Sequence, residues 1–327
     1  MLNTLEEEIA EQTAGDPCGP KRWFRRSLRW LSERLSKRGE TISPTTVRRL
    51  LKQKRYSLKA NRKRIEQSQS PQRDQQFRYI RRVRRLFERH GYAIISCDAK
   101  KREPIGNFKN PGQQWCKDPQ EVKSHDFIQP EKGELKSVPY GIYEPTHNDG
   151  YVYVGTSGNT AAFAVAAIRQ WWMRRDREPF DDESKLLIFC DSGGSNGYRV
   201  RNWKKQLQEE IADRFQIEVM VCHYPPGTSK WNPIEHRLFS FISMNWAGHP
   251  LRSLKVMLAL IRGTRTRSGL RVKAAQLKGV FPTKVKVSDE EMAQLNLVRR
   301  RVCPQWNYCL KPRTRPGPSK REVISKR

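Results

Sequence analysis

The run AIISCD at residues 93–98 and its near-copy LLIFCD at residues 186–191 decide how this chain is read. Each is a short apolar string rich in Ile, Leu or Phe that stops at an aspartate. Runs of this length, flanked by turn residues, read as strands covered on both faces. A third such string, IEVMVCH at residues 217–223, follows them. Buried strands separated by helical patterns imply an α/β chain, a mixed sheet flanked by helices.

Working outward fills in that sheet. VPYGIYE and YVYVGT lie on either side of Asn148-Asp149-Gly150 and predict a hairpin. The segment from Asn159 through WWMRR, and residues 197–215, carry helical periodicity. After the third strand comes HYPPGTSKWNPIEHRLFSF at residues 223–241. There Asn232 offers an N-cap, Pro233 fills the first turn, and Glu235 stands at the third helical position. Beyond Pro250, LRSLKVMLALIRG and a capping box from Ser288 to Glu291 predict a helical extension over residues 251–310. Residues 311–327 form a basic, Pro-rich tail expected to be disordered.

The charge is lopsided. In 327 residues, 64 Lys and Arg face 34 Asp and Glu, a net charge of +30, which points to a polyanionic partner. No apolar run is long enough for a membrane span, and no basic amphipathic anchor sits beside a lipidation signal, so nucleic acid is preferred to a membrane. Residues 21–90 alone hold 24 Lys and Arg against 5 Asp and Glu. Residues 1–20 read as an acidic leader. In residues 21–65, Phe24, Leu28, Leu31 and Leu35 mark one helix that Gly39 closes. Ser43 and Pro44 start a second helix, with Val47, Leu50 and Leu51 inward and Thr45, Arg48, Arg49 and Lys52 outward. This is the layout of a helix-turn-helix reader of DNA; the plainer alternative is a helical hairpin with a solvated face. Lys59, Arg62, Lys63 and Arg64 follow as a basic arm along phosphates. Residues 66–90 are a basic linker helix, and residues 91–250 hold the alternating strands and helices.

An aspartate ending a buried strand needs a partner once ionised. A divalent ion is one such partner, and Mg²⁺ accepts a few carboxylates while keeping water and phosphate oxygens. Asp98, Asp191 and Glu235 thus read as a candidate metal set. The alternatives are that Asp98 pairs with Lys100, Lys101 or Arg102, that Asp191 is a turn residue before Gly193-Gly194, and that Glu235 only starts a helix. DSGGSNGYR lacks the GK[ST] ending of a phosphate loop. His223 and His236 read as structural, or as donors behind the carboxylates. Trp171, Trp172, Trp203, Trp231 and Trp246 read as core. The seven cysteines form no CxxC pair and are expected to be free thiols.

Three blocks carry a resemblance: ISCDAKKREPIGNFKN, CDSGGSNGYRVRNWK and CHYPPGTSKWNPIEHRLFSFI. They resemble the DDE transposase domain of the ISAzo-thirteen type of bacterial insertion sequences. The last is also similar to the NPIE segment of Tc/mariner relatives. SPTTVRRLLKQKRYSLKANRK resembles the family's helix-turn-helix segment, and the likeness spans about residues 16–310. It implies that residues 91–250 are a ribonuclease-H-like catalytic domain with Asp98, Asp191 and Glu235 as the catalytic, metal-binding triad. The implied cofactor is a pair of Mg²⁺ ions, with Mn²⁺ as the alternative. It also implies binding of terminal inverted repeats and target DNA, a homodimer or higher assembly on DNA, and a DNA-associated place in the bacterial cytoplasm. Relatives tend to have a hydroxyl residue after the first aspartate, where this chain has Ala99. They also carry a further helical segment upstream, so the chain reads as N-terminally shortened. That leaves a second reading, a non-catalytic DNA-binding remnant or repressor.

Overall fold

The structure, a computed structural model, describes residues 2–11, 14–15, 22–24, 26–58, 70–174 and 185–313. It divides into two compact units, Met1–Ile65 and Glu66–Arg327.

The first unit is built from α1 (Leu2–Glu11), a ribbon of β1 (Ala14–Gly15) and β2 (Arg22–Trp23), α2 (Leu28–Lys37) and α3 (Pro44–Gln53). Ser27 and Ser43 cap α2 and α3 by accepting from Trp30 N and Thr46 N, and Pro44 opens α3 as the sequence predicted. The first helix begins later than its apolar spacing suggested, because Ser27 supplies the cap. Leu5 and Ile9 pack with Leu31, Leu35, Val47, Leu50 and Leu51 in one core. The acidic stretch expected to be a leader therefore supplies a helix of this core. Its buried Glu8 meets Arg38 Nε at 2.6 Å and Arg34 Nε at 3.1 Å, and Glu6 meets Lys54 Nζ at 2.6 Å. The acidity of α1 answers the basicity of its neighbours.

The second unit begins with α4 (Arg73–Arg89), then β3 (Ala93–Ala99), β4 (Glu103–Ile105), β5 (Leu135–Glu144), β6 (Asp149–Gly155) and α5 (Ala161–Arg174). Next come β7 (Lys185–Cys190), α6 (Arg201–Leu207), which continues through a π turn into α7 (Asp213–Phe215), and β8 (Glu218–His223). A helix entered through a π turn at Glu235–Phe239 then leads into α8 (Ser240–Asn245) and α9 (Leu254–Arg262). The chain ends with β9 (Arg271–Gln276), α10 (Asp289–Ala293), β10 (Leu297–Arg299) and β11 (Asn307–Leu310).

The main sheet runs β10-β11-β8-β7-β3-β5-β6-β9, with β4 paired to β5. Its centre is an antiparallel meander, β3-β5-β6, extended on the other side of β3 by the parallel β7 and β8. This is the ribonuclease-H-like order, and the mixed sheet with helices on both faces is the α/β class expected. Residues 251–310 are not an appended helical extension. They supply β9, β10 and β11 to both edges of the sheet, alongside α9 and α10. The capping box at Ser288–Glu291 forms as predicted.

Pleating sorts the central strands. Ile95, Cys97, Leu186, Ile188 and Cys190 face α5 and α6, with Trp171 and Trp203 among them. Ile94, Leu187 and Phe189 face α4 through Tyr79, Ile80, Val83 and Phe87. Two glycines seat the helix after Asn232 on the sheet. A Cβ at Gly141 would stand 2.5 Å from Phe239, and one at Gly150 2.5 Å from Leu238. Among the described residues no helix is long and apolar enough to cross a membrane.

Candidate active site

Registers place the two aspartates level. Ser96 pairs with Phe189 across the parallel β3–β7 ladder, and each aspartate lies two residues beyond that rung. Two residues on means the same face, so Asp98 and Asp191 emerge beside each other at the carboxyl ends of adjacent parallel strands. Glu235 arrives from the helix whose Ile234 and Phe239 rest on Gly141, the residue opposite Asp98 in β5.

One side chain links these elements. Asn232, fully buried, accepts a short hydrogen bond from Ser96 Oγ through Oδ1 and donates from Nδ2 to Asp191 Oδ1 at 2.9 Å. Its backbone carbonyl accepts from Glu235 N at 3.2 Å. Asn232 had been expected to cap the helix with its side chain. The backbone does take the extended conformation of a cap, but the amide is aimed at Asp191 instead. Glu235 itself opens a π turn, an i→i+5 arrangement that is common at functional sites.

The carboxylates oppose one another. Asp98 is pushed up to about 8, first by burial and then by the charge of Asp191, with Glu235 adding to it. Burial raises Asp191 against the hydrogen bond from Asn232, and burial and Asp191 raise Glu235. The expected alternative for Asp98 does not form. Lys100 Nζ goes to Glu103 at 2.6 Å, while Asp98 Oδ1 accepts from Ala99 N at 2.7 Å. No cation among the described residues pairs with Asp98, Asp191 or Glu235. Equally, no three His, Cys, Asp or Glu side chains among the described residues are drawn together as a finished metal cluster. The donors are all oxygen, which suits a hard cation. Asp98 and Asp191 each keep one oxygen without a donor among the described residues.

His223 supports the site from behind. It is fully buried, and burial pushes it down to about 4, so the ring is neutral. Its Nδ1 donates to the Asp191 carbonyl at 2.9 Å, leaving Nε2 to accept from Tyr308 Oη at 3.2 Å. The Gly-rich DSGGSNGYR segment, with Asp191 at its start, forms one wall of an open cleft of about 500 Å³ that is lined also by Pro225, Pro226, Gly227 and Ser229. Trp171, Trp172, Trp203 and Trp246 are core as expected, but Trp231 is 56 % exposed and edges onto Phe77. Cys97, Cys190 and Cys222 are buried free thiols; Cys18 lies outside the described residues.

In the first unit, Thr45, Arg48, Arg49 and Lys52 form an exposed stripe along α3. Lys59, Arg62, Lys63 and Arg64 lie outside the described residues. Sequence reasoning missed Asn232 as a partner of Asp191. The signal available was its adjacency to Glu235, and it was spent on the helix start.

Compared with known proteins, the chain matches a family model described as the Rhodopirellula transposase DDE domain over residues 4–312. No curated protein matches the chain by sequence. Among solved structures it is similar to the Mos1 transposase paired-end complex with left transposon end, at 15% identity and a TM-score of 0.39, covering 78% of this chain and 68% of that one. It is also similar to the Mos1 Strand Transfer Complex, at 15% identity and a TM-score of 0.40, covering 78% and 67%.

Proposed function

Because the chain belongs to the family of the Rhodopirellula transposase DDE domain, we propose that it acts on DNA at the terminal inverted repeats of an insertion sequence. There it cleaves strands and joins them to target DNA by metal-dependent phosphoryl transfer. The observation that carries this reading is the set of mutually repelling carboxylates, Asp98, Asp191 and Glu235, at the ends of β3 and β7 and the start of the neighbouring helix. Such a set is costly to hold without a cation.

Asp98, Asp191 and Glu235 would hold a pair of divalent ions, Mg²⁺ or alternatively Mn²⁺. Bound ions of this kind neutralise phosphate charge, activate water or a 3′-hydroxyl, and stabilise the leaving oxygen. The chain itself then needs no nucleophilic side chain. Asn232 fixes one oxygen of Asp191 and leaves the other for a ligand. His223, neutral and bonded to the Asp191 carbonyl, holds that backbone without adding charge. Thr45, Arg48, Arg49 and Lys52 on α3, followed by Lys59, Arg62, Lys63 and Arg64, would contact the repeat, with α3 as the groove-reading helix. A homodimer or larger assembly on DNA would bring two ends together.

The test is nicking of duplexes that carry the element ends. Asp98→Ala, Asp191→Ala and Glu235→Ala should each abolish Mg²⁺-dependent nicking and leave DNA binding intact. Nicking retained in all three variants would refute the assignment. A second reading is a non-catalytic DNA-binding member of the family. It requires the wild type to bind the ends without cutting them in Mg²⁺ or Mn²⁺.

A further inference from the structure

Helix α4 carries two stripes. Gln76, Tyr79, Ile80, Val83 and Phe87 are its buried residues, spaced i, i+3, i+4, i+7, i+11. Arg78, Arg81, Arg82, Arg85 and Arg89 repeat the same spacing two residues on, and all five are exposed. At 100° per residue the arginine stripe lies on the side opposite the buried one. None of the five has a carboxylate partner among the described residues; the one ion pair within α4 is Arg84 with Glu88. Like charges at i, i+3 and i, i+4 cost a helix about 0.2–0.5 kcal/mol each. The stripe therefore works against the helix that bears it, which its buried face holds in place.

The stripe also has a direction. The first turns of α4 are tied to the candidate active site: Gln76 Nε2 donates to the His223 carbonyl at 2.8 Å, and Phe77 packs on Tyr224 and on Trp231, next to Asn232. From Arg78 to Arg89 the helix rises about 16 Å. That length faces about five phosphates of one strand at about 3.4 Å of duplex axis each.

We propose that this arginine face of α4 is a second DNA-binding surface. It would hold the sugar-phosphate backbone of duplex DNA leading away from the carboxylates, without reading sequence. The proposal rests on the DNA-transposase reading above and adds where on the second unit the duplex lies. Phosphate contacts of this kind position a duplex and leave sequence readout to other elements, here α3.

The experiment compares full-length wild type with R78Q/R81Q/R85Q/R89Q, using a short duplex of arbitrary sequence in EDTA over a range of salt concentrations. Losing four phosphate contacts should flatten the plot of log K against log salt by about 3 to 4. K132Q/K136Q/K278Q/K286Q, which removes four exposed lysines elsewhere on the unit, should change the slope by less than about 1. Should the fourfold variant fold poorly, R81Q/R85Q carries the same test with an expected loss of about 2. Slopes equal to wild type overturn the proposal, as does an equal loss in the lysine control. Wild type that binds DNA but fails to nick it refutes the catalytic reading and leaves this surface standing. Wild type that binds no duplex at all overturns both.

Discussion

Replacing Asp98 by Asn separates electrostatic cost from chemical use at one atom pair. The Asp98 carboxyl titrates at about 8 against 3.8 for a free aspartate. Between those values the unfolded chain has lost its proton and the folded one keeps it. Folding therefore takes up a proton, and stability falls as pH rises through that window. The stabilisation is complete below about pH 4 and gone above about pH 8. At about 1.4 kcal/mol per unit, a shift of about four units sets a ceiling of about 6 kcal/mol. Asp98 is only partly buried, so solvent screens it, and about half that, 2–3 kcal/mol, is the expected effect. Asn keeps the shape and removes the charge. In EDTA at pH 8, Asp98→Asn should be about 2–3 kcal/mol more stable than wild type to urea, and the gap should narrow as pH falls and close below about pH 4. Mg²⁺ or Mn²⁺ should cancel that advantage, since a ligand at a hundred times its Kd stabilises wild type by about 2.7 kcal/mol and the variant much less. A variant no more stable than wild type at pH 8, with an unchanged response to Mg²⁺, refutes the reasoning.

Asn232→Ala should cost about 1–3 kcal/mol in urea denaturation, because the buried Ser96 hydroxyl and Asp191 both lose a partner. Asn232→Asp should instead place a like charge against Asp191, so its loss of stability should be larger at pH 8 than at pH 5. Gly141→Ala should cost about 1–3 kcal/mol by pressing on Phe239 and Ile234, and should lower metal-dependent nicking although every carboxylate remains. In the first unit, Glu8→Ala should lower stability by about 1.5–3 kcal/mol, measured on that unit's helical signal, since a charged hydrogen bond to Arg34 and an ion-pair contact with Arg38 go with it.

Strands closed by aspartates were legible because burial on both faces leaves an uninterrupted apolar run, and the first charged residue then marks where the run meets solvent. β3 and β7 were found that way, and the β5–β6 hairpin from its Asn-Asp-Gly turn. β9 was not, since RVKAAQ is a half-exposed strand at the sheet's edge with no apolar run. β10 and β11 are three and four residues long, and only long-range pairing reveals them. α1 was misread because its acidity suggested a solvated leader, whereas its charges meet Arg34, Arg38 and Lys54. At the site, the carboxylates were readable one at a time. Asn232 was not, because the signature of a helix cap is identical whether the side chain turns to the helix or to a neighbour 41 residues earlier. The π turn at Glu235 left no mark in the sequence.

Asn232 also gives the site a history. The ribosome delivers Ser96 and Asp191 well before it delivers Asn232, and the residues lie 136 and 41 positions apart from it. Until the segment beyond Trp231 docks, β3 and β7 present two opposed acids, with Asp191 undonated and Glu235 absent. A partly made chain therefore lacks both the third carboxylate and the amide that orients the second. On the function proposed above, competence to cut would appear only after this segment docks, and a copy still lacking it would be spared the ability to damage its own template.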